Sequence, residues 1–221
     1  MRIVTVSDIH AEFDRFTPAL APSGDCCVMA GDLTDVGRGL RARQFSRQAE
    51  RDLLSAENWL RLMAQRMPLF WIPGNHDIGV DRNTFPAIDD CRYVEQADTN
   101  WSGLTIAGVS MAPCYDLPVL ATIWDYSTTN PLLEAAAYEC LPNADVVDSH
   151  CPPLAFLDDA YNPEVQEIRS IGSRALLDYI DRVQPMVVVC GHAHDNIGIK
   201  WRDGTAVIKV DPVVKTAKRL V

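Results

Sequence analysis

Five short apolar runs in this chain each stop abruptly at a carboxylate, an amide or an imidazole, and this pattern restricts the fold more than any other feature. The clearest is Leu69-Phe70-Trp71-Ile72, closed by Pro73 and followed by Gly74-Asn75-His76-Asp77. An apolar run of that length bounded by Pro and Gly reads as a buried strand, so the next side chains leave the sheet at its edge. Residues 3–6 end the same way at Ser7-Asp8-Ile9-His10, and residues 25–30 end at Gly31-Asp32-Leu33-Thr34-Asp35. Residues 144–149 run into His150-Cys151-Pro152-Pro153, and residues 186–190 into Gly191-His192-Ala193-His194-Asp195. The C-terminal edge of such a sheet is where α/β proteins hold their ligands.

Helical signals alternate with these runs. Apolar residues recur at steps of three and four from Phe45 through Ala49, Leu53, Ala56, Leu60 and Met63 to Met67, which predicts a long amphipathic helix. Asn130 as N-cap and Pro131 at the first helical position predict a second through Tyr138. Ser173 caps a third, with Leu176, Leu177, Ile180 and Val183 inward and Pro185 as its stop. A short helix is expected over residues 11–20, limited by Pro18 and Pro22. Further strands are expected at 93–94 and 104–109, and a hairpin at 197–201 and 205–210 through Asp203-Gly204. Residues 154–169 read as a long connection, and the last residues as a finishing strand or tail. The strand, helix, strand order favours a parallel arrangement. At 221 residues and 48% apolar composition, the expectation is one α/β domain spanning residues 1–221.

Charge and cysteine content narrow the function. A formal net charge of −10 repels phosphate backbones and argues against nucleic acid as a partner. No window approaches the roughly 18 apolar residues of a membrane span, and the start of the chain carries no secretory pattern. Seven cysteines, an odd number without a spaced framework, point to reduced thiols in the cytoplasm. No oligomeric state is assigned by the sequence.

The chain has five histidines, and all five stand at these strand ends: His10, His76, His150, His192 and His194. Taken singly, an Asp after a strand is commonly a turn former and a His beside Gly a satisfied loop residue. Asn75 alone could be a residue tolerating a left-handed turn. The bland readings must hold at every strand end at once, however, while Asp8, Asp32 and Asn75 share those ends with the histidines. Carboxylates and imidazoles without thiolates suit Mn²⁺, Fe, Zn²⁺ and related ions in open sites rather than a closed structural zinc. Two such ions about 3.5–4 Å apart can share a carboxylate and a water, and clamp the oxygens of a phosphate.

In order, Asp8-x-His10, Gly31-Asp32, Gly74-Asn75-His76-Asp77, His150 and Gly191-His192-Ala193-His194 resemble the five signatures of the calcineurin-like metallophosphoesterases. Gly31-Asp32-Leu33-Thr34-Asp35, Ser149-His150-Cys151-Pro152-Pro153 and Gly172-Ser173-Arg174-Ala175-Leu176-Leu177 look like the Icc-related predicted phosphoesterases, a group similar to class III cyclic-nucleotide phosphodiesterases. The resemblance implies a four-layer sandwich, two mixed β-sheets flanked by helices. It further implies that Asp8, His10 and His194 bind one metal, Asn75, His150 and His192 a second, and that Asp32 bridges both. His76 would protonate the leaving oxygen as general acid, and Asp77 would orient or support that imidazole. The implied cofactors are two divalent or transition ions, Mn²⁺ first, with Fe, Zn²⁺, Ni²⁺ or Co²⁺ as substitutes. The implied reaction is attack by a metal-bridging hydroxide on a small phosphodiester or nucleotide-like substrate.

Alternatives remain within and outside that class: a broad-specificity phosphomonoesterase, or a non-catalytic binding scaffold on the same fold. Relatives that act on phosphoproteins carry an Arg where this chain has Val36 before Gly37, which argues against a protein phosphatase. Arg38, one residue late, reads as a solvated charge. Cys151 and Cys190 read as small buried hydrophobes beside the site rather than ligands. Trp124 and Tyr126 are open between a pocket wall and core packing.

Overall fold

The structure is a computed structural model, and it describes residues 1–35, 47–113, 128–129, 131–162, 166–210 and 215–218. Two mixed sheets pack face to face. The first is built from β1 (Arg2–Val6), β2 (Cys26–Ala30), β3 (Leu69–Ile72) and β4 (Cys91–Tyr93), all parallel, with β15 (Lys215–Lys218) antiparallel on the outer side of β1. The second centres on four parallel strands, β6 (Leu104–Val109), β9 (Val146–Ser149), β12 (Val187–Cys190) and β14 (Thr205–Lys209). Antiparallel β5 (Asp98–Trp101) and β13 (Gly198–Arg202) close its two sides. Helix α1 (Arg47–Ala64) covers the first sheet, and α2 (Pro131–Cys140) and α3 (Arg174–Val183) cover the second.

The apolar runs are continuous because each central strand feeds two cores at once. Alternate residues of the first sheet, Val4, Val6, Cys27, Met29, Leu69 and Trp71, meet Trp59, Leu60 and Met63 of α1. The intervening residues, Ile3, Val28, Phe70 and Ile72, point into the space between the sheets against Ile106, Val146, Val189 and Ile208. A third core joins Val109, Val147 and Val188 to Tyr138, Leu176, Tyr179 and Ile180. Helix, sheet, sheet, helix is therefore the order of layers, the four-layer sandwich that the strand-end motifs resemble.

Two local expectations are corrected. Residues 11–20 are not a helix: His10 and Ala11 enter the segment at φ 49° and 61°, a left-handed backbone that cannot start a right-handed helix. Only the 3₁₀ turn Pro18–Leu20 forms, and Phe13 and Phe16 pack against the α1 core instead. The connection at 154–169 holds an antiparallel hairpin of β10 (Asp159–Asn162) and β11 (Glu167–Ser170). A minor parallel pair, β7 (Ala112–Pro113) and β8 (Thr128–Thr129), precedes α2. Ser173 caps α3 as expected, its hydroxyl accepting from the Leu176 amide at 2.9 Å. Phe45, Asn130, Trp124, Tyr126, Val36 and Arg38 lie outside the described residues.

Candidate metal centre

Backbone ladders continue past the strand ends and draw the loops of both sheets to one edge. The Asp8 amide donates to Gly31 at 3.0 Å and the His10 amide to Asp32 at 2.9 Å, joining the β1 and β2 loops. On the second sheet the His150 amide donates to Val109 at 3.2 Å and the Gly191 amide to His150 at 3.0 Å. Four of the expected site residues hold left-handed backbones: Asp8 (φ 55°), His10 (49°), Asp32 (53°) and His192 (66°). Non-glycine residues rarely adopt this region, and its cost is tolerated where the surrounding structure needs the side chain aimed one way.

All seven expected ligands converge. His10 Nε2 lies 3.7 Å from Asp32 Oδ2 and 4.0 Å from Asp8 Oδ1, and His194 Nε2 lies 3.9 Å from Asp8 Oδ1. His150 Nε2 stands 3.5 Å from Asp32 Oδ2 and 2.8 Å from Asn75 Oδ1. The same Asn75 oxygen is 2.8 Å from His192 Nδ1, so one amide ties two imidazoles together. Three groups bring their ligand atoms within 4.8 Å of one another: Asp8, His10 and His194; His10, Asp32 and His76; Asp8, Asp32 and His150.

Glycine makes this approach geometrically feasible. A Cβ on Gly74 would lie 2.7 Å from His150 Cε1 and overlap Asp32, and one on Gly191 would overlap Ser7 and the Asp8 carboxylate. The backbone passes where any side chain would push a ligand away.

The donor set fits a cation. His150 Nδ1 lies 2.8 Å from the Ala30 carbonyl, which can only accept, so Nδ1 carries the proton. In the neutral ring, Nε2 then turns its lone pair toward Asn75 Oδ1 and Asp32 Oδ2, an arrangement of acceptors that a positive ion between them relieves. Both ring nitrogens of His10 are buried without a hydrogen-bond partner among the described residues. Burial followed by the neighbouring His150 holds His192 down to about 3, in the neutral form that ligates metal. His10 behaves oppositely: burial pulls it down, but the Asp35, Asp32 and Asp8 carboxylates outweigh burial and bring it to about 8. The paired carboxylates shift in opposite directions: at Asp32 burial opposes ionisation, yet His150, His76 and His10 together lower it, whereas at Asp8 burial, joined by the Asp32 carboxylate, outweighs His150 and His194 and raises it.

Asp77 holds the loop that carries His76. Its carboxylate accepts from the Gly74 amide (2.8 Å), the Leu33 amide (3.0 Å), and the amide (2.6 Å) and hydroxyl (2.7 Å) of Thr34. It thus fastens the β3 loop to the β2 loop. The carboxylate at the His76 ring is Asp35, 2.9 Å from Nδ1, and the His76 amide donates to Asp32 Oδ1 at 2.8 Å. Asp35 was visible in the sequence as the second acid of Gly31-Asp32-Leu33-Thr34-Asp35, but its pairing depends on how two loops fold together. Cys151 and Cys190 are fully buried; Cys151 Sγ contacts backbone carbonyls of Pro152 and Ile171, and burial pushes both thiols up, away from the thiolate a metal needs.

A His-rich and Asp-rich cluster at the facing edges of an αββα sandwich makes this edge a candidate metal centre. Residues 1–196 match the calcineurin-like phosphoesterase family, and the chain belongs to it. Among curated proteins it is 25% identical over 92% of its length to human metallophosphoesterase domain-containing protein 1, of which the alignment covers 63%. The chain thus spans under two thirds of that relative. It is 22% identical along its whole length to an uncharacterized protein of Methanocaldococcus jannaschii, covering 94% of it. Among solved structures, the TT1561 protein of Thermus thermophilus shares the fold with a TM-score of 0.64 and 16% identity, over 94% of this chain and 88% of that one.

Proposed function

We propose that this chain is a phosphoric ester hydrolase that uses two metal ions to cleave a small phosphodiester or nucleotide-like substrate. The observation that carries the proposal is the convergence of Asp8, His10, Asp32, Asn75, His150, His192 and His194: Asp8, His10 and His194, and likewise Asp8, Asp32 and His150, bring ligand atoms within 4.8 Å of one another, and Asn75 Oδ1 lies 2.8 Å from both His150 Nε2 and His192 Nδ1. In this reading Asp8, His10 and His194 hold one ion, Asn75, His150 and His192 the other, and Asp32 serves both. Ions so held supply Lewis acidity to phosphate oxygens and lower the pKa of a bound water.

The protein's own contribution is orientation and proton delivery. Asp35 accepts the Nδ1 proton of His76, which makes Nε2 the atom that passes a proton to the leaving oxygen. Asp77 keeps the loop bearing His76 rigid against Leu33 and Thr34. Small substrates are favoured because a chain of net charge −10 repels long polyanions. Six described cysteines are free thiols, which supports a reducing, cytoplasmic setting. No helix among the described residues is long and apolar enough to cross a membrane.

The test is hydrolysis by purified protein, metal-stripped and then reloaded with Mn²⁺, of bis-p-nitrophenyl phosphate against p-nitrophenyl phosphate. Metal-dependent turnover with preference for the diester supports the proposal. Preference for the monoester transfers it to the phosphomonoesterases, and uptake of two ions without turnover on either ester leaves a binding scaffold.

A further inference from the structure

His150 is held from behind as well as in front. Its imidazole faces Ala30, Asn75 and Asp32, while the residues on either side of it, Ser149 and Cys151, enter a hydrogen-bonded chain that starts on α2. Tyr138 Oη lies 2.8 Å from Ser149 Oγ, and Ser149 Oγ lies 2.7 Å from the Cys151 carbonyl. The direction of this chain follows from proton count. A carbonyl cannot donate, so the single Ser149 hydroxyl proton goes to Cys151, and Tyr138 must donate its own proton to Ser149.

The chain therefore spans His150, clamping the turn at its preceding and following residues. Both side chains are inaccessible: Tyr138 is 2% exposed and Ser149 fully buried. Tyr138 is itself fixed, its ring against Tyr179 at 5.9 Å and its carbonyl accepting from Arg182 at 3.1 Å. The turn is pinned on its far side too, because the Ser173 amide donates to Pro152 at 2.7 Å. Consecutive donors in a buried chain polarise one another, so each link stiffens the next.

We infer that Tyr138 is a positioning residue for the His150 half of the metal centre, acting through Ser149 and the Cys151 carbonyl from a helix that contributes no ligand. The inference rests on the two-ion reading above. Outer partners that orient ligands typically govern metal affinity by 10–100-fold, and Tyr138→Phe deletes only the donated proton while keeping the ring in its core.

The test is calorimetric titration of the apo protein with Mn²⁺, comparing wild type with Tyr138→Phe, Ser149→Ala, the double variant and Tyr179→Phe. Tyr179 is the matched control. Its buried hydroxyl donates to Pro142 at 2.6 Å and accepts from Ala144 at 3.1 Å, with no link to His150. Two ions bound by wild type, one of them weakened about 10–100-fold in Tyr138→Phe, would support the inference. Further support is a double variant no worse than Ser149→Ala alone, with Tyr179→Phe lowering the melting temperature but leaving both affinities intact. Unchanged affinities in Tyr138→Phe while wild type binds two ions would overturn the inference and spare the metal reading, as would an equal loss in Tyr179→Phe. Failure of wild type to take up Mn²⁺ would overturn both.

Discussion

Gly74→Ala is the most informative single change, because it adds one methyl group at the point where three loops touch. Gly74 does not hold a left-handed backbone, so alanine is accepted by the main chain and the perturbation is purely steric. The new Cβ would lie 2.7 Å from His150 Cε1, against an ordinary contact of 3.4 Å or more, and would overlap Asp32 more severely. Relief requires movements of about 0.7 Å at His150 and more at Asp32, well beyond the ~0.2 Å tolerance of ligand distances. We expect Mn²⁺ affinity to fall by about 100-fold or more, since misplacements near 1 Å cost that much at a reacting centre. Overpacking should cost about 1–3 kcal/mol of stability and leave the fold intact. Gly79→Ala supplies the contrast. It sits at φ 75° with nothing within 4 Å of the added atom, so it should lose ~1–2 kcal/mol to backbone strain and bind metal normally. Calorimetric titration and thermal melts of both variants decide the matter. If Gly74→Ala takes up two ions with wild-type affinity, the loops do not hold the ligands in the way described.

Other expectations follow from the same contacts. His76→Ala should retain both ions yet lose about 10²–10⁴ in rate on esters with poor leaving groups; metal analysis showing a lost ion would make it a ligand instead. Asp35→Asn should slow turnover on the esters with poor leaving groups that depend on His76; an unaltered rate on those esters would remove Asp35 from that imidazole. Asp32→Asn should abolish turnover and weaken metal uptake, and near-normal turnover with full metal content would reject a shared ligand. Glu134 is buried on α2, and burial raises it from 4.5 to about 7 against an opposing hydrogen bond from Ser173. Because the unfolded carboxyl releases its proton first, this group makes stability fall as pH rises from about 4.5 to 7, by on the order of 3 kcal/mol in all. Glu134→Gln should lose that part of the slope in urea melts at pH 5 and pH 8; parallel slopes would refute it.

The strand ends were legible because strands buried on both faces read as unbroken apolar runs, and Leu69-Phe70-Trp71-Ile72 followed by Gly74 is such a case. Helix α1 was legible from its period, since Ala56, Leu60 and Met63 recur on the face that meets the first sheet. The β10–β11 hairpin was not. Asp159-Ala160-Tyr161-Asn162 has no apolar alternation because the hairpin lies outside the core, with Tyr161 and Ile168 in solvent. The left-handed entry at His10 and Ala11 was hidden for another reason: the φ angles there answer to Asp32 and Leu33, whose carbonyls accept the two amides. The same holds for the pairing of Asp35 with the His76 ring and of Asp77 with Thr34, which only tertiary geometry decides.

The facing of the two sheets has a consequence for how the molecule holds together. The His192 amide donates to Asp8 at 3.1 Å across 184 residues of chain, and the candidate ligands are divided between the two layers. A cation bound there would act as a cross-link closing a loop of nearly the entire polypeptide, and the entropy saved by such a closure grows with loop length. Metal removal should therefore loosen the seam between the sheets as a whole, with faster amide exchange in β2 and β12 alike, rather than disturb a single loop.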